Sequence, residues 1–267
     1  MFEQLDAFHY VSGDWKPAAH ASATEPTDLR ILTWNVWFGG HMFEERRAAL
    51  LGELERRKPD VIALQEVTKE LLDVIALQPW IRKAYTLSDL ELFQTYDVVV
   101  LSRVPLHRLS ALALPTQMGR RLLVAELACG LAVGTVHLES MKESKQPRAT
   151  QLRLIQPALA DLGDAVLCGD MNFQPEDPVE NAALDSGFVD VWPALRPDDA
   201  GYTADSQINR MRFELKPTLS RKRIDRVFLH GTRWKAAKIE LVGTEPIDID
   251  GTFTSDHFGL ECALTVA

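Results

Sequence analysis

Five short apolar runs, each bounded by turn residues and each meeting a small polar cluster, constrain this chain more than any other feature. Ile31-Leu32-Thr33-Trp34 leads into Asn35, and Val61-Ile62-Ala63-Leu64 into Gln65-Glu66. Ala132-Val133-Gly134-Thr135-Val136 reaches His137, and Ala165-Val166-Leu167-Cys168-Gly169 reaches Asp170-Met171-Asn172. Late in the chain, Ser255-Asp256-His257 precedes Phe258-Gly259-Leu260. Runs of this length read as buried strands. Polar residues at strand ends stand where a sheet presents chemistry at its rim. A rim rich in carboxylates, with two amides and a histidine, suits a hard metal ion and attack on a phosphate ester.

Between these runs the pattern changes period. Phe43, Leu50, Leu51 and Leu54 recur at helical spacing among charges, which predicts a helix over 42–58 that stops at Pro59. Thr68 is a candidate N-cap for a second helix reaching about Leu77. Strands follow at 98–101, 106–112, 122–128 and 131–136, close enough to pair antiparallel. A third helix is expected over 148–162, broken or kinked near Pro157. Strand 165–168, a short helix over 179–184 and strands at 224–229, 239–242 and 258–266 complete the order. Alternating strands and helices around a strand-rich middle predict an α/β fold. Two mixed sheets pack face to face in it with helices on the outer faces, a four-layer α/β sandwich. No linker divides residues 29–267, so one catalytic domain is expected there. Residues 1–28, with Pro17, Pro26 and the Ala-rich stretch from Ala18 to Ala23, predict a loosely held, partly ordered arm with an edge strand around 8–11.

The chain has 267 residues and a formal net charge of −9, so no global field draws it to polyanions. The charge is uneven, however. Arg210, Arg212, Lys216, Arg221, Lys222, Arg223 and Arg226 fall in one stretch, opposed by Glu214 and Asp225. Such a stripe guides a phosphate chain or is simply a solvated loop. Cys129, Cys168 and Cys262 lie in or beside apolar runs without metal-ligand spacing, which predicts free thiols in a reducing compartment. No segment reads as a signal peptide or membrane span, so a cytoplasmic monomer is expected, nuclear if the source is eukaryotic.

Each candidate residue has a plainer structural alternative. Glu66 is either a surface acid after its strand or a metal ligand at the rim. Asp170 and Asn172, after Gly169, form a functional turn or only a local Asx-turn. His137 is a ligand-facing group or a satisfied core histidine. Ser255-Asp256-His257 is not a hydrolase triad, because adjacent strand residues face opposite ways. A strand would instead put Ser255 and His257 on one face. His257 then needs a carboxylate elsewhere, and Asp225 is the available one unless it pairs with Arg223 or Arg226.

The order Thr33-Trp34-Asn35, Leu64-Gln65-Glu66, His137-Leu138-Glu139-Ser140, Gly169-Asp170-Met171-Asn172, Ile224-Asp225-Arg226 and Ser255-Asp256-His257 resembles the endonuclease/exonuclease/phosphatase superfamily. Asn35-Val36-Trp37-Phe38, Met118-Gly119-Arg120, the Val189-Asp190-Val191-Trp192 segment and Arg221-Lys222-Arg223 bring it nearest to the magnesium-dependent tyrosyl-DNA phosphodiesterases of the second type. The resemblance implies one Mg²⁺ or Mn²⁺ held by Glu66 with Asn35 and Asp256. It implies Asp170 as the base for the attacking water, with Asn172 and His257 as donors to phosphate oxygens and Asp225 behind the imidazole. His137, Ser140, Arg120, Tyr96 and Ser255 would contact substrate, and DNA ends would be the partner, most of all 5′-phosphotyrosyl adducts. The same chemistry on a small phosphate ester, phospholipid or inositol phosphate is the alternative, and a non-catalytic scaffold a third. Three departures stand out. Trp37 replaces an acid common in relatives, Gln174 replaces an arginine, and Ala204 lies where an aromatic often stacks on a base, a role open to Tyr202 or Phe213.

Overall fold

The computed structural model describes residues 1–19, 26–92 and 94–267. Among these, one mixed sheet contains eight strands and a second contains seven. Each sheet is built around one parallel pair. In the first, Asp28–Asn35 runs parallel to Val61–Thr68, with helix Phe43–Arg57 as the crossover. In the second, Ala132–His137 runs parallel to Ala165–Asp170, with helix Lys145–Ala160 between them. Every other strand pairing is antiparallel among the described residues.

Strand periodicity sorts the side chains into layers. Leu29, Ile31, Val61 and Ala63 face inward and meet Leu123, Ala125, Val133, Val166 and Cys168 of the other sheet. Their neighbours Leu32, Trp34, Ile62 and Leu64 face outward against Leu50, Leu54, Leu71, Leu72 and Ile75 of two helices. On the second sheet Leu122, Val124, Ala165 and Leu167 pack against Leu152, Ile155 and Leu159 of helix Lys145–Ala160. The result is the four-layer sandwich expected from the sequence. Gln65 lies inside it, its amide nitrogen donating to the hydroxyls of Thr33 and Thr135, and so pins the two sheets in register near the site.

The helix after Thr68 spans Lys69–Leu77, and the Thr68 hydroxyl accepts from the Leu71 N–H as an N-cap should. The helix expected over 148–162 starts earlier, at Lys145, and runs through Pro157 to Ala160, after a short helix Pro79–Ala84. Pro157 sits in the last turn, where its missing N–H costs one bond and stops little else. At the amino end, residues expected to form a loose arm contribute three strands. Glu3–Leu5 edges the seven-stranded sheet against 109–111, Phe8–Val11 pairs with Leu87, and Asp14–Pro17 forms the outer edge of the eight-stranded sheet. Phe8–Val11 is therefore an inner strand; Asp14–Pro17 takes the edge. Residues 20–25 of that arm, including most of the Ala-rich stretch, lie outside the described residues.

Candidate active site

Both parallel pairs end at the same place. Asn35, Glu66, His137 and Asp170 stand at or beside their carboxyl ends, the rim where open α/β sheets present ligand-binding groups. Two local devices aim the acids. The pairing of Val61–Thr68 with Tyr96–Ser102 shifts register between Leu64 and Val67, a bulge in which Glu66 adopts φ 62°. Gly169 adopts φ 129°, and a Cβ there would run into the Val136 carbonyl. Asn172 follows at φ 55°. Left-handed backbone at two non-glycine site residues is local strain held by its surroundings, which is common where side chains are aimed for chemistry.

The Asn35 amide joins the acids: its Nδ2 donates to Glu66 Oε1 at 3.1 Å and to Asp170 Oδ2 at 2.9 Å. Its Oδ1 accepts the Trp37 N–H at 3.0 Å. Asn35 therefore meets both acids as a donor through Nδ2, while its Oδ1 keeps a second lone pair beside the Trp37 N–H. Glu66 Oε2 accepts the Phe38 N–H at 3.1 Å. Asp170 Oδ1 accepts the Asn172 N–H, while Asn172 Nδ2 donates to the Leu138 carbonyl. A primary amide carries a second N–H on that nitrogen.

Asp225 opens its strand directly opposite Asp170 in the antiparallel ladder. Thr203 Oγ1 accepts the N–H of both Ile224 and Asp225, fixing that strand start. Asp225 Oδ2 lies 2.8 Å from His257 Nδ1, so the imidazole does find its carboxylate there. Arg223 and Arg226 pair with Asp190 instead. The Ser255-Asp256-His257 segment is an irregular connection and not a strand, since the last strand begins at Gly259. It is anchored by Trp34 Nε1, which donates to the His257 carbonyl, and by the Ser255 hydroxyl, which donates to the Asn35 carbonyl at 2.6 Å. That hydroxyl also accepts the His257 N–H, so Ser255 ties the two segments of the site together.

Asp256 Oδ2 is paired with Arg212 at 2.6 Å, and its Oδ1 lies 3.9 Å from His257 Nε2. His137 is buried, its Nε2 3.5 Å from Asp170 Oδ2 and 3.9 Å from Glu66 Oε1. Arg120 Nη2 lies 3.5 Å from that same Nε2 and from the Tyr96 hydroxyl. Tyr96 stacks on Phe38, with ring centroids 4.5 Å apart. Ser140 is exposed, with its hydroxyl against the Met118 sulfur and not against the acids. Of the departures noted in the sequence, Trp37 turns its ring under Arg46, and Tyr202 lies beneath the Arg221 guanidinium.

Protonation follows from burial. Desolvation, then the facing Asp225, pushes Asp170 up to about 7. Glu66 is raised by burial, although Asn35, His257 and the Phe38 N–H oppose it. Burial would lower His257, but Asp225 and Asp256 overcome it and hold the imidazolium to about 10. Burial and the neighbouring cations Arg120 and His257 push His137 well below the ordinary range, so it is neutral. Asp170, Asp225 and His257 each place a ligand-type atom within 4.8 Å of the others, a group able to hold a metal ion. A protonated imidazole already bonded to Asp225 is a poor ligand, however, which favours the Glu66 end. Glu66 and Asp170 face a neutral His137 and no lysine or arginine at ion-pair distance among the described residues. Such a set of oxygens, offset only by the more distant His257 imidazolium, fits a hard divalent cation.

Arg46 went unread in the sequence, where it looks like one more charge on an amphipathic helix. Its guanidinium donates to the carbonyls of Val36, Trp37, Gly39, His41 and Thr254. Arg46 thus ties the segment after Asn35 to the one before His257. Nothing in local sequence signals that role.

An Endonuclease/Exonuclease/phosphatase family profile matches residues 32–257, from the first parallel strand through His257, and the chain belongs to that family. It is 30% identical over 254 residues to tyrosyl-DNA phosphodiesterase 2 of Danio rerio, covering 90% of this chain and 68% of that protein. Identity to the Xenopus tropicalis protein of the same name is 30% over 256 residues, covering 91% and 67%. The solved structure of D. rerio TDP2 complexed with single strand DNA product superposes with a TM-score of 0.79 at 27% identity, covering 90% of this chain and all of that one.

Proposed function

We propose that this protein is a metal-dependent phosphodiesterase that hydrolyses phosphodiester bonds at DNA ends, 5′-phosphotyrosyl adducts above all, in DNA repair. The observation that carries this reading is the single Asn35 amide bridging Glu66 and Asp170, with the His257–Asp225 pair alongside. Relatives named for cleaving tyrosyl-DNA, one of them solved with a DNA product, support the substrate class.

Glu66 would hold Mg²⁺ or Mn²⁺ beside Asp170, and Asp256 would join it as a second acid only through the oxygen that Arg212 leaves free. When bound, the ion polarises a phosphoryl oxygen and offsets developing charge. The rest is the work of the chain. Asp170, raised towards neutrality and fixed by Asn35 and the Asn172 N–H, orients water behind phosphorus and accepts its proton. His257 presents Nε2–H to an equatorial oxygen while Asp225 holds Nδ1. The free N–H of Asn172 acts beside it. Arg120, a buried guanidinium whose Nε lacks a partner, faces the site with Tyr96 and neutral His137 and suits a phosphate oxygen or the aryl group leaving with it.

The test is turnover, with and without Mg²⁺, on a 5′-phosphotyrosyl oligonucleotide, an abasic duplex, a plain single strand, a lysophospholipid and an inositol polyphosphate. Cleavage of the first is expected to dominate; preference for either of the last two sinks the DNA reading. His257→Ala and Asp170→Asn are each expected to lose roughly 10²–10³ in kcat, the usual cost of removing one preorganised group. Near wild-type turnover in either variant, with an unchanged circular dichroism spectrum, overturns the roles assigned here.

A further inference from the structure

The basic stretch from Arg210 to Arg226 is only partly explained by ion pairs. Arg210 pairs with Glu214, Arg212 with Asp256, Arg221 with Asp205, and Arg223 and Arg226 with Asp190. Lys216 and Lys222 have no acid at ion-pair distance among the described residues. Both line one cavity of about 250 Å³, together with Arg212, Trp37 and Asp256. Trp37 lies two positions after Asn35, and Asp256 directly precedes His257, so this cavity borders the catalytic rim. Three cations converge there in a chain of net charge −9.

We infer that this cavity is a second anion subsite, seating the phosphodiester next along the strand from the bond that is cleaved. This rests on the nucleic-acid reading above. The site is poised for an anion, because its cations repel one another when nothing lies between them. Burial and the like charges of Arg212 and Lys216 accordingly lower the Lys222 ammonium, with Asp177 only partly opposing. Arg212 is drawn to Asp256 at one side, which leaves the two lysines as the cations without an acid at ion-pair distance among the described residues. Trp37 offers an apolar wall for the attached sugar or base. A single-phosphate substrate cannot reach both the catalytic rim and this cavity; an oligonucleotide can.

The experiment compares the wild type with Lys216→Gln/Lys222→Gln on two substrates. One is a 5′-phosphotyrosyl oligonucleotide; the other is an aryl ester of a single nucleoside 5′-phosphate. The ratio of kcat/KM, oligonucleotide over mononucleotide, is expected to fall about tenfold in the variant, the usual effect of losing a charged hydrogen-bonded contact. The salt slope of the oligonucleotide KM should become shallower by about 0.7, the value for one phosphate contact on a single strand. Lys216→Arg/Lys222→Arg should keep both. An unchanged ratio, or equal losses on both substrates, overturns the subsite while leaving the enzyme reading intact. A wild type that cleaves the mononucleotide ester but not the oligonucleotide overturns both readings at once.

Discussion

Arg46 shows how much of this site depends on one side chain that never faces the acids. Five N–H groups meet five backbone carbonyls from two segments, and the ring of Trp37 closes one face at 4.3 Å. Burial without an adjacent carboxylate lowers its pKa to about 10, with Asp256 and Glu66 opposing from a distance. An ammonium has three donors and cannot span that set. Arg46→Lys should therefore leave buried carbonyls unpaired, at about 1–3 kcal/mol each, lowering the urea midpoint and reducing kcat more than KM. A variant with wild-type kcat would show that the two segments keep their places without it. Residue types made Glu66, Asp170 and His257 legible because each stands out at the end of an apolar run. Arg46 was not legible, since its partners are main-chain groups more than 200 positions away at one end.

At the scale of elements, strand ends carry the chemistry and their distortions aim it. Glu66 would continue the pleat of its strand were it not for the bulge after Leu64, and Asp170 would stand differently without Gly169. Gly169→Ala is expected to destabilise the fold by about 1–3 kcal/mol, read as a lowered urea midpoint at unchanged slope, because a Cβ meets the Val136 carbonyl and φ is positive. An unshifted midpoint would mean the neighbouring strand yields freely. The strands and helices themselves were readable from periodicity. The amino-terminal strands were less so: three or four residues each is too short for a clear pattern, and their partners lie at 87 and 109–111. The segment around Ser255 misled for a related reason. Its alternation suggested a strand, yet its groups bond to Asn35 and Trp34 instead of to a neighbouring ladder.

The whole molecule presents one rim built from two similar halves, each a parallel pair with its crossover helix. Face-to-face packing brings Asn35 and Glu66 of one sheet against His137 and Asp170 of the other. A cation bound there touches only the folded state. Saturating Mg²⁺ should therefore raise the melting temperature by roughly 5–10 °C, taking about 2.7 kcal/mol at a hundredfold excess over Kd. Glu66→Gln should abolish that shift. A wild type that melts at the same temperature with Mg²⁺ and with EDTA would remove the metal from this reading.

The sequence by itself determined the layers and the cast of reacting groups, because period-two burial and polar strand ends are local properties of the chain. Which groups touch was decided only by the tertiary structure. Asn35 became a bridge between two acids, Ser255 a tether, and Lys216 and Lys222 the cations left over once their neighbours had found acids. These outcomes depend on how two sheets stack, and stacking joins residues that have no relation in sequence.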